Sequence, residues 1–149
     1  MKRLLLSFGS ALVLLFSGCS VIEEVNRTID YVSATTAYIN ELNHFANELP
    51  QLTENAIANV DSIAELENRL IEVKQEIETF IVLEAPDLAG TIHEQLIIYS
   101  EQIKIGIEEY LQSIEMGVID LSLIETTEII QTVRNITNLL DQLEQLNGN

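Results

Sequence analysis

Glu41-Leu42-Asn43-His44 is the segment of this 149-residue chain whose residue types and spacing come nearest to doing chemistry. A carboxylate and an imidazole three positions apart share one face of a helix, the arrangement with which carboxylate-bridged metal bundles hold an ion. A di-metal centre needs such ligands from several helices, and no second copy of the motif is present. His93, the other histidine, follows Gly90-Thr91-Ile92, and Glu41 and His44 lie beside the apolar stripe of Ile39 and Leu42 rather than within it. Glu41 and His44 therefore read as a solvated polar face and not as metal ligands. The other motifs with a mechanical rationale are missing: no Gly-rich phosphate loop, no nucleophilic Ser in a Gly-flanked elbow, no HExxH, no paired Cys. Nor does any Asp/Asn-rich loop closing on Glu gather the carboxylates into an EF-hand, so diffuse counterion binding is the plain reading of the acidity. No cofactor is implied, no catalytic residue is assigned, and the chain reads as a non-enzyme.

Composition narrows the field further. With 24 Asp+Glu against 7 Lys+Arg the formal net charge is -17, while 47% of residues are apolar and the mean hydropathy is +0.20. That much apolar material supports one folded domain and argues against disorder. Nucleic acid is excluded as a partner, because phosphate binding depends on clustered Lys and Arg. A disulfide scaffold is excluded as well, since Cys19 is the only cysteine.

The position of that cysteine carries the strongest local signal. Met1-Lys2-Arg3 is a positive start, Leu4 to Phe16 is an apolar run of 13 residues, and small Ser17 and Gly18 close it immediately before Cys19. A helix that short reaches about 20 Å, less than the roughly 30 Å hydrocarbon core of a bilayer, so a cleaved signal fits better than a membrane span. Ser17-Gly18-Cys19 resembles the lipobox of bacterial lipoproteins. The resemblance implies that the Cys19 thiol receives a diacylglyceryl group and that cleavage makes Cys19 the new N-terminus. Phe16 departs from the Leu usual at that lipobox position, and an ordinary secretory signal with a chance Cys is the competing reading. Residues 1–18 are thus expected as signal peptide and 19–149 as one acidic domain anchored at the extracytoplasmic face of the cell membrane. Two acyl chains hold stably where one binds only marginally, so no basic patch is required. Removing Lys2 and Arg3 lowers the basic count from 7 to 5 against 24 acids and deepens the net charge from -17 to -19. A tethered body with Glu23 and Glu24 next to the anchor is expected to stand off an anionic surface.

Positioning elements are expected to be helical throughout, with Pro50 and Pro86 as the strong breakers. The first helix is expected over about Ser20 to Leu49, on a stripe of Ile22, Val25, Ile29, Val32, Thr36, Ile39 and Leu42, and to stop before Pro50. Gln51 to Val60 reads as a short helix or a packed loop. Asp61, or a Ser62/Glu65 capping box, opens a second helix on Ile63, Leu66, Leu70, Val73, Ile77 and Phe80, with Glu65 and Arg69 paired four apart and Glu72 and Glu76 repelling each other. Pro86 and Asp87 suit the start of a third, on Ile92, Leu96, Tyr99, Ile103, Ile107, Tyr110 and Ile114. Gly117 caps it, and Asp120 opens a last helix running to about Leu146 on Ile129, Val133, Ile136, Leu140 and Leu143. The expected fold is all-α: an antiparallel up-and-down bundle of about four helices, with three helices and a stalk as the fallback.

Tyr31 to Asn40 carries no charge in an otherwise acidic chain. Tyr31, Ala34 and Tyr38 could form a docking face for another helix, or the segment could simply be the most buried part of the bundle. Together with the signal, the stretches Phe45-Ala46-Asn47-Glu48-Leu49-Pro50, Lys74-Gln75-Glu76-Ile77-Glu78-Thr79-Phe80 and Leu83-Glu84-Ala85-Pro86 make the chain similar to a family of small uncharacterised lipoproteins of bacillus-type Gram-positive bacteria. That resemblance implies a membrane anchor at Cys19 and no activity. A surface-tethered interaction or structural module with a protein partner is the leading functional expectation, a cation- or small-ligand-binding lipoprotein the alternative, and an enzyme the last.

Overall fold

A computed structural model describes residues 18–146, with side chains described from residue 23 onward except that of Thr126. The signal segment up to residue 17 and the Cys19 side chain lie outside the described residues. Among those described the fold is all-α, in the order α1 (Gly18–Ala58), α2 (Ile63–Ile81), α3 (Gly90–Glu115), α4 (Leu121–Thr126), α5 (Ile129–Thr137) and α6 (Leu140–Gln145). α1 packs on α2 and α5, and α3 packs on the same two, so four helical rods stand in a ring with α4, α5 and α6 forming the fourth. The expected bundle of about four helices is what forms.

The chain follows its apolar periodicity into this arrangement. Leu66, Leu70, Val73, Ile77 and Phe80 of α2 and Leu96, Ile103, Ile107, Tyr110 and Ile114 of α3 are all buried. Gly117 ends α3 as a Schellman cap at φ +76°, its N–H donating to Ile114 O at 2.8 Å while Val118 N–H donates to Ser113 O at 2.8 Å. Asp120 then opens α4, its carboxylate accepting from Ser122 N–H at 2.8 Å. Pro86 precedes a 3-10 turn, Asp87–Ala89, that leads into α3.

Three expectations for α1 and the start of α2 are corrected. α1 does not stop at Pro50 but runs through it to Ala58, 41 residues and about 60 Å in all. An interior proline costs roughly 3 kcal/mol, and burial on both sides of it, at Phe45 and Leu49 before and Thr53 and Ala56 after, holds the helix together. The apolar stripe also starts later than expected: Val25 and Ile29 are each 48% exposed, and Thr28 is the first buried residue among the described side chains. Past that point Tyr31, Val32, Thr35, Tyr38, Ile39 and Leu42 face inward, so α1 is a stalk in its first turns and a bundle member thereafter. Finally, neither Asp61 nor Ser62 caps α2; Asn59 accepts from Asp61 N–H at 3.1 Å and starts a 3-10 turn, Val60–Ser62, while Ser62 makes no side-chain cap bond.

The last helix, expected as one piece, is broken twice, and each break follows a threonine. Thr127 Oγ1 donates to Leu123 O at 2.8 Å and Thr137 Oγ1 to Val133 O at 2.9 Å, the back-bonding by which Thr competes with the helix ladder. At the first break Glu128 takes a left-handed conformation, φ +56°. Such a conformation costs a non-Gly residue about 1–2 kcal/mol, so Glu128→Gly is expected to raise stability by about 1 kcal/mol, read as a higher urea midpoint at unchanged slope. An unchanged midpoint would mean that Glu128 is not strained there.

Candidate functional site: a cleft between α1 and α2

Three tyrosine hydroxyls cross the centre of the bundle between α1 and α3, which stand diagonally in the ring. Tyr31 OH meets His93 Nδ1 at 2.9 Å, Tyr38 OH meets Ser100 Oγ at 2.7 Å, and Thr53 Oγ1 meets Tyr110 OH at 2.8 Å. Tyr31 and Tyr38 are one heptad apart on α1, as His93 and Ser100 are on α3, so two parallel helices keep both pairs in register. Each bond satisfies a buried hydroxyl that would otherwise cost about 1–3 kcal/mol. Burial raises the Tyr31, Tyr38 and Tyr110 phenols above their ordinary range, so all three stay protonated.

His93 is the one titratable imidazole inside the described bundle. Its ring packs edge-on to Tyr31 and tilted against Phe80, each with centroids 5.6 Å apart, and it also bonds the Leu83 backbone. Burial lowers its pKa, outweighing the Leu83 bond and nearby Glu94, which act the other way. The unfolded ring, titrating near 6.5, therefore takes up its proton before the folded one. Stability from His93 is full above that pH and is lost as pH falls through it toward the folded value. Urea midpoints at pH 7.5 and 5.5 are expected to drop further in the wild-type chain than in a His93→Leu variant; equal drops would place the ring in water.

On the outer side of the same aromatic group a cleft of about 570 Å³ opens between α1 and α2. Tyr38 and Phe80 form its floor, stacked at 4.1 Å with planes 6° apart. Ala34 and Ala37 make a low wall on α1, and Glu41, Glu72 and Glu76 stand on the rim. The cleft exists because the α1 side chains facing it are small while the helices are held apart by the stacked rings beneath. At one end Arg69 of α2 bridges to α1, donating to Glu48 through Nε and to Glu41 through Nη2, with Nη1 3.7 Å from Glu72 and the guanidinium 5.8 Å from the Phe45 ring centre. The expected Glu65–Arg69 pair is thus replaced by a bond across the bundle. Glu76 has its carboxyl pKa raised by partial burial first, then by Glu41 and Glu72, with Arg69 acting the other way. The repulsion read between Glu72 and Glu76 is therefore present.

The residues singled out by sequence separate as follows. Tyr31 and Tyr38 turn into the core, because each has a hydroxyl partner there, whereas Ala34 stays on the surface; Ala34 and Tyr38 meet at the cleft and Tyr31 does not. Glu41 serves Arg69, His44 sits exposed with Nδ1 3.1 Å from Glu48, and His93 lies on the far side of Phe80. Among the described residues no group of three His, Cys, Asp or Glu could hold a metal ion, and no helix is long and apolar enough to cross a membrane. Sequence reasoning missed Phe80, Leu83 and Thr79 as cleft residues. Phe80 was legible only as core.

Over 146 residues, 98% of this chain and 99% of the relative, the sequence is 28% identical to a Bacillus subtilis (strain 168) protein described as uncharacterized lipoprotein YybP. No solved structure matches. The profile of a family of unknown function, DUF6376, matches residues 31–146, a span that begins at the first core tyrosine and takes in the cleft and all of α2 to α6. These matches agree with the likeness to uncharacterised bacillus-type lipoproteins read from the sequence, and the chain belongs to the DUF6376 family.

Proposed function

We propose that the protein is a non-catalytic binding module, held by a lipid on Cys19 at the extracytoplasmic face of the membrane, with the α1–α2 cleft as its binding surface. The cleft is the observation that carries the reading. Ligand sites are typically concavities of about 300–1,000 Å³ with apolar linings and a few placed polar groups, and the Tyr38–Phe80 floor with its acidic rim has that character. Support for the anchor comes from Ser17-Gly18-Cys19 and from a relative described as a lipoprotein. The free first turns of α1 would carry the bundle away from the bilayer, which suits the repulsion expected of Glu23 and Glu24. The non-catalytic reading is supported by the placement of the two histidines, one exposed beside Glu48 and one neutral within the bundle.

Native mass spectrometry of the protein purified gently from a Gram-positive host tests the binding surface. A stoichiometric adduct is expected on the wild-type chain and is expected to be lost in Ala37→Trp, which fills the cleft from its exposed wall. An adduct retained by that variant, or bare chains in both, would count against the cleft. Fractionation tests the anchor: the wild-type protein is expected in the membrane fraction and Cys19→Ala in the medium, and a Cys19→Ala protein that stays with the membrane would remove the lipid from the account.

A further inference from the structure

We propose that the α1–α2 cleft takes a cationic amphiphile, a small organic ligand whose apolar ring-bearing body lies on Tyr38 and Phe80 and whose fixed positive charge sits between Glu72 and Glu76. This deepens the reading of the cleft as the binding surface and rests on it.

The charges around the cleft are out of balance. Four carboxylates, Glu41, Glu48, Glu72 and Glu76, surround one guanidinium, and Arg69 spends its two short bonds on Glu48 and Glu41. Glu72 has only a distant 3.7 Å approach from the same group, and Glu76 lines the cleft beside Glu41 and Glu72 with Arg69 near it but bonded to Glu41 and Glu48 instead. The other α2 cation is turned away: Lys74 bonds Glu108 of α3 at 2.9 Å, and Lys104 of α3 approaches Glu78 at 3.9 Å, both toward the α2–α3 side. The cleft is therefore short of positive charge, and a ligand that brings one relieves a repulsion already present. A cation among carboxylates beside an aromatic wall gains both from direct pairing and from the ring quadrupole.

The floor of the cleft is apolar. A bare metal ion would draw nothing from Ala34 and Ala37, which are exposed, or from the largely buried Tyr38 and Phe80 rings that line the bottom of the cleft. The cleft is also confined to about two turns of α1, between Ala34 and Glu41. A stable protein partner buries about 800 Å² on each side, far more than so short a groove presents, whereas its volume matches a small organic ligand. An anionic amphiphile would meet the acidic rim with the wrong sign.

Every buried side chain described lies between Thr28 and Leu143, so the chain from Ser20 keeps the whole core and can be used in solution. The probe is naphthylmethyl-trimethylammonium, titrated calorimetrically at low salt beside naphthylmethanesulfonate, its twin of opposite charge. Expected are one cation bound per chain, no binding of the sulfonate, about ten-fold weaker cation binding in the Glu72→Gln/Glu76→Gln variant, and loss of binding in Ala37→Trp and in Ala34→Trp, all at wild-type helicity and melting temperature. Equal binding of both twins, lost in the Trp variants, overturns the cation assignment and leaves the cleft as an apolar site. Cation binding that survives both Trp substitutions, or no binding of either twin to a cooperatively melting wild-type chain, overturns the assignment and the cleft together.

Discussion

Replacing Gly106 with valine is expected to lower the unfolding free energy by about 3 kcal/mol, seen as a drop of roughly 10 °C in melting temperature. A Cβ at this position of α3 would lie 2.8 Å from Ile129 Cγ1, 2.9 Å from the Thr127 carbonyl oxygen and 3.2 Å from Thr127 Cβ. Two of these neighbours cannot give way easily. Thr127 O belongs to the backbone of the α4–α5 break, and Ile129 is fully buried at the start of α5. The missing side chain is what lets the bend in the fourth rod seat against α3. Gly90→Ala provides the control, because a Cβ there meets nothing within 4 Å, and it is expected to be neutral or slightly stabilising through helix propensity. Equal effects of the two substitutions would show that the bend is not seated against Gly106.

The second large effect is expected at Arg69. Arg69→Met keeps the contact with Phe45 but removes the guanidinium that Glu41, Glu48 and Glu72 share. Breaking a buried ion pair by deleting one partner costs about 3–5 kcal/mol, and the partial exposure of these carboxylates scales that down to about 2 kcal/mol at neutral pH. The cost arises from carboxylates left facing one another, so it is expected to shrink in 0.5 M salt. Chemical denaturation of both chains at low and high salt checks this. A deficit independent of salt would assign it to lost packing of the Arg side chain instead.

Where the sequence was legible and where it was not has a physical pattern. The stripes of α2 and α3, the Gly117 stop and the Asp120 start depend on local spacing and local caps, and they appear where the residues indicate. Pro50 misled because the penalty for an interior proline is local while the packing that offsets it, at Phe45, Leu49 and Thr53, comes from other helices. Val25 and Ile29 misled in the opposite sense: their spacing is right for a core, but the bundle does not reach them. The chargeless stretch around Tyr31 and Tyr38 was a true signal of burial, and the matching heptad of His93 and Ser100 could have identified its partners. Arg69 could not be assigned from spacing alone. Its choice of Glu41 and Glu48 over Glu65 depends on the register of α1 against α2, and the cleft, which is made by that same register, was invisible for the same reason.

The through-running first helix also fixes how the molecule carries load. α1 spans the whole bundle, and its N-terminal turns project past the first buried residue, Thr28. A pull applied at that end acts along the axis of α1, parallel to its contacts with α2 and α5 and at right angles to the three tyrosine crossbars to α3. The contacts are then loaded in shear, all together, rather than peeled open one after another. Force entering through this strut is resisted by the entire core before any one helix can leave it.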